Sequence, residues 1–505
     1  MHRRHFIHSS AALAALASCS KTKSGAPASA RSMTELIDRI RSGKANVQTY
    51  LSHYLKRIEE MNTAGPELRA VIELHAQANQ LPVQPLPQGV LHGAPILIKD
   101  NIETANDGML TTAGSLALMD APPPQRDAFI VQKLREAGAL IFGKTNLSEW
   151  ANIRSHDSTS GWSARGGLTR NPHRPTHNAS GSSSGSAAAV AADFCAAAIG
   201  TETNGSIVSP ASACGIVGLK PTVGKVSRTG IIPITHWQDT AGPMTHTVRD
   251  AALMMNAISA HDPEDVLSTP PPEGAVKDHL ALFSPDVLKG KRLGIVRGEC
   301  GKHPGVLTQF ERMILLLKVA GAVIVEDVEI PNHKQAGGLA WRAMLTEFRA
   351  ELNAYLEKRG GKVRSLMALM AFNEEHRAEE MPHFGQDIFE EAESRGTDEA
   401  VEKAAEARAM ARHLAGPEGI DAAMAAHKLD ALICPTNDPS EALDLKKGDA
   451  DTRVACTPAA VAGYPHLTVP MGLVEGMPVG FSFFGAAWSE PLLLAMGDAF
   501  EKLRD

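Results

Sequence analysis

Three consecutive serines stand in the stretch GSSSGSAAAVAA, Gly181 to Ala192. A Gly/Ser linker would be polar and structureless. Here the serines run straight into small apolar residues that are mostly good helix formers. Gly181, Ser183 and Gly185 also match G-x-S-x-G, the pattern of a nucleophile elbow. A serine hydroxyl attacks a carbonyl only when a base takes its proton. With 20 histidines in the chain, a Ser-His-Asp triad is not excluded by counting. An elbow, however, needs a sharp strand-to-helix turn at the serine. The preceding TRNPHRPTHNAS (169–180) reads as loop, so the elbow lacks its context.

Lysine is the other base available to a serine. It serves only when neutral, and burial lowers its pKa towards that state. Lys99 ends the run APILIK (94–99) in LHGAPILIKDNIET (91–104). A continuous apolar run of this kind suits a strand buried on both faces. A lysine at such a strand end is either solvated or, if drawn inward, a candidate base.

Taken in order, LHGAPILIKDNI, SGSSSGSAAAVAA and GTETNGSIVSPASACGIVGLKPT resemble the amidase signature family. DALICPT (430–436), AGYPHLTVPMGL (462–473) and GMPVGFSFFG (476–485) extend the resemblance from about Met33 to the C-terminus. TSGWSARGGLTRNP, GTETNGSIVSP and DTAGPM (239–244) look most like its bacterial peptide amidase branch.

The resemblance implies a catalytic set of serine, cis-peptide serine and lysine. It places the nucleophile at Ser206, the cis serine at Ser182 and the lysine at Lys99. Ser182, rather than Ser183, then relays the proton. Backbone N–H groups of Thr203, Asn204, Gly205 and Ser206 would form the oxyanion hole, and Thr201 would support the relay. Two departures from the family's common pattern stand in this loop. Asn204 replaces a glycine, and Val208 replaces an arginine that braces it.

The elements that must position these residues alternate along the chain. Two amphipathic helices are predicted between Met33 and Met61, with Gly43 between them. Strands are predicted at Val71 to Leu74, Ala94 to Ile98 and 139–146, and a helix from Ala128 to Gly138. The polar segment 155–180 is long enough to be an active-site loop, and a helix follows from Ala187. A charged helical excursion covers 340–415. Alternation throughout predicts an α/β fold, a single large α/β/α domain over residues 33–505. Its central sheet is expected to be mixed, mostly parallel and covered by helices.

The 505 residues are 43% hydrophobic and 21% charged, an ordinary globular balance. The net charge of −7, without a basic block beyond the N-terminus, argues against a nucleic-acid partner. There is no CxxC or HExxH, and NEEHR (373–377) lacks a second histidine for a zinc site. No metal or organic cofactor is expected. Of the six cysteines, the five other than Cys19 (Cys195, Cys214, Cys300, Cys434 and Cys456) read as buried free thiols.

The first residues read as an export signal, 1–18, with Arg3-Arg4 ahead of the short apolar run 11–17. Leu16-Ala17-Ser18-Cys19 resembles a lipobox, and 19–32 would be a polar tether. The expectation is an exported periplasmic or cell-envelope lipoprotein, touching the membrane only through Cys19. Its substrate would be a small-molecule or peptide amide. Two alternatives are the glutaminase subunit of a tRNA-dependent amidotransferase and a non-enzymatic ligand-binding lipoprotein. Specificity is expected in the loop 153–170 and the excursion 340–415. There Asn373 and His376 either line the pocket or sit on a surface helix.

Overall fold

The computed structural model describes residues 32–82, 85–449 and 454–505. The expected export signal, Cys19 and almost all of the tether lie outside the described residues. The last tether residue, Ser32, belongs to the fold instead. It caps helix Met33–Arg41 and donates to Asp250, whose carboxylate also accepts the Met33 and Thr34 N–H groups.

Among the described residues, one eleven-stranded sheet organises the molecule. Its strands are β1 (Val71–Leu74), β2 (Pro95–Lys99), β3 (Leu140–Thr145), β4 (Ala197–Glu202), β5 (Val217–Lys220), β6 (Thr240–Thr245), β7 (Arg292–Ile295), β8 (Val323–Val325), β9 (Ala431–Pro435), β10 (His466–Val474) and β11 (Met477–Phe484). They lie in the order β1-β3-β2-β4-β6-β5-β10-β11-β9-β7-β8. The α/β class and the mixed sheet are as expected. The predominance of parallel pairs is not: six of the ten pairings are antiparallel. Helix–strand alternation predicts parallel crossovers only where a helix joins adjacent strands. Here β10 and β11 form a direct hairpin, and β6 inserts antiparallel between β4 and β5.

The core explains why the serine stretch is helical. Ser184 to Val190, in helix Ser184–Ala191, are all buried. A helix of small residues buried on all sides is stable only inside a protein. Its two serine hydroxyls are paired, Ser186 with Thr145 and the Ile199 carbonyl and Ser184 with the Ser180 carbonyl, and the close approach admits nothing larger. A Cβ at Gly185 would collide with the carbonyl oxygens of Ala70 and Asn146. Phe310, Phe481, Phe483 and Phe500 fill the other half of the core, with ring centroids 4.6–5.6 Å apart.

The segment before Gly181 is not all loop. Arg170–Asn171 pairs with strand Arg174–Asn178 in a small hairpin. The excursion is helical as expected, with His333–Arg359 and Asp398–Ala415 its longest members. It is fastened to the loop at 149–163 by Arg154, wholly buried between Glu149 and Glu380 and stacked 4.2 Å from the Phe384 ring centroid. Buried charges persist when paired in this way.

Candidate active site

Strand β2 carries Lys99 into the interior, because all five of its residues are buried and Lys99 is its last. The chain then turns, the Ile102 N–H donating to the Lys99 carbonyl at 3.0 Å. The amine is 0% exposed. It donates to Ser182 Oγ at 2.8 Å, Thr201 Oγ1 at 2.9 Å, Ser183 Oγ at 3.0 Å and the Thr201 carbonyl at 3.2 Å. Burial lowers its pKa from 10.5 to about 7, although Asp239 and Glu202 nearby oppose the shift. Near neutrality a large share of Lys99 is therefore the free amine.

Lys144 and Lys220 are equally buried, and burial brings each down to about 8. Lys144 donates to the Ile102 carbonyl and Thr111, and Lys220 to the Pro221 carbonyl. Neither amine is spent on the serines of the candidate set. What distinguishes Lys99 is the company of hydroxyls.

The Gly181–Ser182 peptide is cis. Ser182 sits in the turn before helix Ser184–Ala191, its carbonyl accepting the Ser148 N–H at 3.0 Å. The structure thus brings Lys99, Ser182 and Thr201 together. Thr201 Oγ1 also accepts from Asn101 at 3.0 Å, which fixes the hydroxyl beside the amine.

Ser183 is closer to the lysine than expected, and the strand just before the turn partly meets the elbow's context. Two observations still exclude Ser183 as an exposed nucleophile. That strand belongs to a two-stranded hairpin rather than the main sheet. The Ser183 hydroxyl is 0% exposed and is spent on Thr201, accepting its N–H at 3.1 Å and donating to its carbonyl at 3.0 Å.

Ser206 lies on the loop between β4 and helix Val208–Ala213 and is half-buried. The two loops are tied by the Ser183 N–H, which donates to the Ser206 carbonyl at 3.1 Å. Among the described residues no hydrogen bond joins Ser206 Oγ to Ser182. Catalytic contacts of this kind often close only around substrate.

The four expected oxyanion donors are not equivalent. The Gly205 N–H donates to Glu202 Oε1 at 2.8 Å, and those of Ile207 and Val208 donate to Glu202 Oε2 at 2.8 and 3.1 Å. Gly205 is thus removed as a free donor by a carboxylate that caps the start of the following helix. Thr203, Asn204 and Ser206 have no such acceptor among the described residues. Glu202 also accounts for Val208, which is 0% exposed. An internal carboxylate braces the loop, so a charged side chain at 208 is not required. Gly205 has φ +87°, and a Cβ there would lie 2.9 Å from Cys456 Sγ. Glycine alone suits both conditions.

Several site residues escaped the sequence reading. Asp239 accepts from Thr203 Oγ1 at 2.6 Å and from the Ile234 and Thr235 N–H groups, and burial raises its pKa to about 7. Its signal was the motif DTAGPM, which carried no role there. Glu202 could have been found as an acid just ahead of a helix start. Asn373 is not on the surface. It is buried and donates to Gln386 at 3.0 Å. His376 stacks on Phe372 at 4.0 Å. Cys195, Cys214, Cys300, Cys434 and Cys456 are buried free thiols, in line with expectation.

Comparison with known proteins gives consistent likenesses. The model of the family described as amidase matches residues 49–494. A probable amidase from Arabidopsis thaliana is 40% identical over 471 residues, covering 89% of this chain and 85% of that one. The solved native peptide amidase from Stenotrophomonas maltophilia is 47% identical with a TM-score of 0.87, covering 93% of this chain and 96% of that one. A glutamyl-tRNA(Gln) amidotransferase component from Thermosynechococcus vestitus is 34% identical over 446 residues, covering 82% of this chain and 84% of that one. These relatives overturn the expected exported lipoprotein. The plant, fungal and bacterial amidases that align along the chain give export or a lipid anchor no support. The arginines and Cys19 behind that expectation precede the matched residues.

Proposed function

The chain belongs to the amidase family, in its peptide amidase branch, and is an amide-hydrolysing enzyme; from that premise we propose that Ser206, Ser182 and Lys99 are its catalytic residues and that its substrates are linear carboxamides. The observation that carries this reading is the fully buried Lys99 amine, 2.8 Å from Ser182 Oγ, with a pKa lowered to about 7.

Neutral Lys99 accepts the Ser182 proton while Ser182 takes that of Ser206. Ser206 Oγ then bonds to the amide carbon, and the C=O electron pair moves onto oxygen. The oxyanion faces the free N–H groups of Thr203, Asn204 and Ser206. As the tetrahedral centre collapses, the C–N bond breaks and the relay returns a proton to the leaving nitrogen. Water hydrolyses the acyl-enzyme by the same relay, releasing the carboxylate. Likeness to the Stenotrophomonas peptide amidase points to peptide C-terminal amides, with ammonia as the leaving group.

Residues 33–505 act as the amidase domain in this reading. The glutaminase alternative is less favoured, since identity to the amidotransferase component is 34% against 47% to the peptide amidase. The non-enzymatic alternative gives way to the family assignment.

The test is covalent labelling with a fluorophosphonate, mapped by peptide mass spectrometry, beside an assay of ammonia release from N-acyl dipeptide amides. An adduct on Ser206 with ammonia release is expected. An adduct on another serine, or no release from any linear amide, overturns the reading.

A further inference from the structure

We propose that Gln238 is a positioning residue that aims the Asn204 N–H at the developing oxyanion, and that the helical excursion reaches the reaction through it. This rests on the reading of Ser206 as nucleophile. Gln238 Nε2 donates to the Thr203 carbonyl at 3.1 Å. A trans peptide holds its C=O and N–H on opposite sides. Fixing the Thr203 oxygen towards Gln238 therefore turns the Asn204 N–H the other way. Gln238 is 2% exposed, whereas Asn204 is exposed. The N–H thus leaves the buried side for the open side of the loop, where half-buried Ser206 lies two residues on.

Which end of the Gln238 amide faces Thr203 is decided by Arg408. A guanidinium only donates, so the Arg408 Nη1 contact selects Gln238 Oε1 and leaves the NH2 group for Thr203. Arg408, itself 2% exposed, is held by Glu347 through Nε at 2.9 Å and Nη2 at 2.7 Å. Glu347 Oε2 accepts from Thr235 Oγ1 at 2.7 Å as well. Glu347 lies on helix His333–Arg359 and Arg408 on helix Asp398–Ala415. The two longest helices of the excursion thereby set the polarity of one amide, and that amide sets the orientation of one backbone peptide. Asp239 holds the same residue by its side chain and leaves the carbonyl to Gln238.

The test compares Gln238→Glu with the wild-type full chain. Glutamate keeps the size and the Arg408 pairing but presents an oxygen to the Thr203 carbonyl. The readouts are kcat and KM on a peptide amide, and affinities for a peptide aldehyde and for the carboxylate product. The aldehyde adds to the serine and carries a tetrahedral alkoxide; the carboxylate product is planar, forms no bond to the serine and spreads its charge over two oxygens. Expected is a loss of about 10²-fold in kcat and in aldehyde affinity, with KM and product affinity within about threefold. Gln238→Leu and Arg408→Met should shift the same two quantities, and their double variant should be little worse than Gln238→Leu alone. If the leucine variant does not fold, the isosteric glutamate variant decides. Near-wild-type turnover of Gln238→Glu, or equal loss of aldehyde and product affinity, overturns the inference alone. Absence of fluorophosphonate labelling at Ser206 in the wild type overturns the catalytic reading, and the inference with it.

Discussion

The Lys99 amine lies 2.8 Å from Ser182 Oγ, although 83 residues separate the two in the chain. Burial brings the amine to a pKa of about 7, and the cis Gly181–Ser182 peptide stands at the turn that presents the hydroxyl. In the proposed mechanism the pair is a base and its first proton donor; Thr201 Oγ1 accepts from the amine at 2.9 Å on another side.

Ser206→Ala removes the atom to be acylated and should abolish both turnover and fluorophosphonate labelling. Ser182→Ala and Lys99→Ala keep that atom but break proton transfer, each costing about 10²–10⁴-fold in kcat. Their double variant should be little worse than either, because the two act as one unit. Steady-state kinetics on one amide substrate checks all four variants. Full activity of Ser182→Ala would remove Ser182 from the relay.

Activity should rise with pH through about 7 as Lys99 loses its proton, and level off above. A kcat/KM profile measured with chemistry rate-limiting tests this. A rate flat from about pH 5 to about pH 9 would be incompatible with a lysine base.

Lys99 should also cost stability. Its folded pKa of about 7 lies below the ordinary lysine value of 10.5, so the unfolded chain binds more protons between those values. Stability therefore rises with pH across that window. Lys99→Met should melt above the wild type at pH 7 while lacking activity, and the gap should narrow as the pH approaches 10.5. Thermal unfolding at several pH values measures it, and a widening gap would contradict the sign.

Ser183→Ala should retain substantial activity and lose stability. Its hydroxyl accepts the Thr201 N–H and shares the Thr201 carbonyl with Lys99, and leaving a buried N–H unpaired costs about 1–3 kcal/mol. Denaturant unfolding and kinetics on the same preparation separate the two effects. A dead but fully stable Ser183→Ala would place Ser183 in the chemistry.

Glu202→Gln replaces one carboxylate oxygen with a donor that faces backbone N–H groups. The Gly205, Ile207 and Val208 contacts weaken together, with an expected loss of about 1–3 kcal/mol. Activity should fall as well, because Ser206 lies within the braced turn. Unchanged stability would show that the carboxylate does not brace the loop.

Much of the fold was legible from local pattern. The apolar run ending at Lys99 read as a buried strand because all its positions are apolar, and β2 is buried throughout. The helix after the serines was legible because small apolar residues following a glycine-bearing turn have few other uses. Strand direction was not legible. Whether β6 runs with or against β4 depends on connections that local periodicity does not encode.

The ordered motifs were enough to identify the family, and with it Lys99, Ser182 and Ser206 as candidates. Those candidates follow from the resemblance of the ordered motifs to a family pattern; the residues alone left a strand-end lysine and a weak elbow match at Ser183. Folding settles the rest: which of three buried lysines meets the serines, that Ser183 is spent on Thr201, and that Glu202 takes the Gly205 N–H from the oxyanion run. It also brings Gln238 and Arg408, 170 residues apart, together behind Thr203. The physical reason is that burial and hydrogen-bond pairing depend on segments far away in the chain. A lysine becomes a base, and a backbone N–H a free donor, only through neighbours that folding supplies.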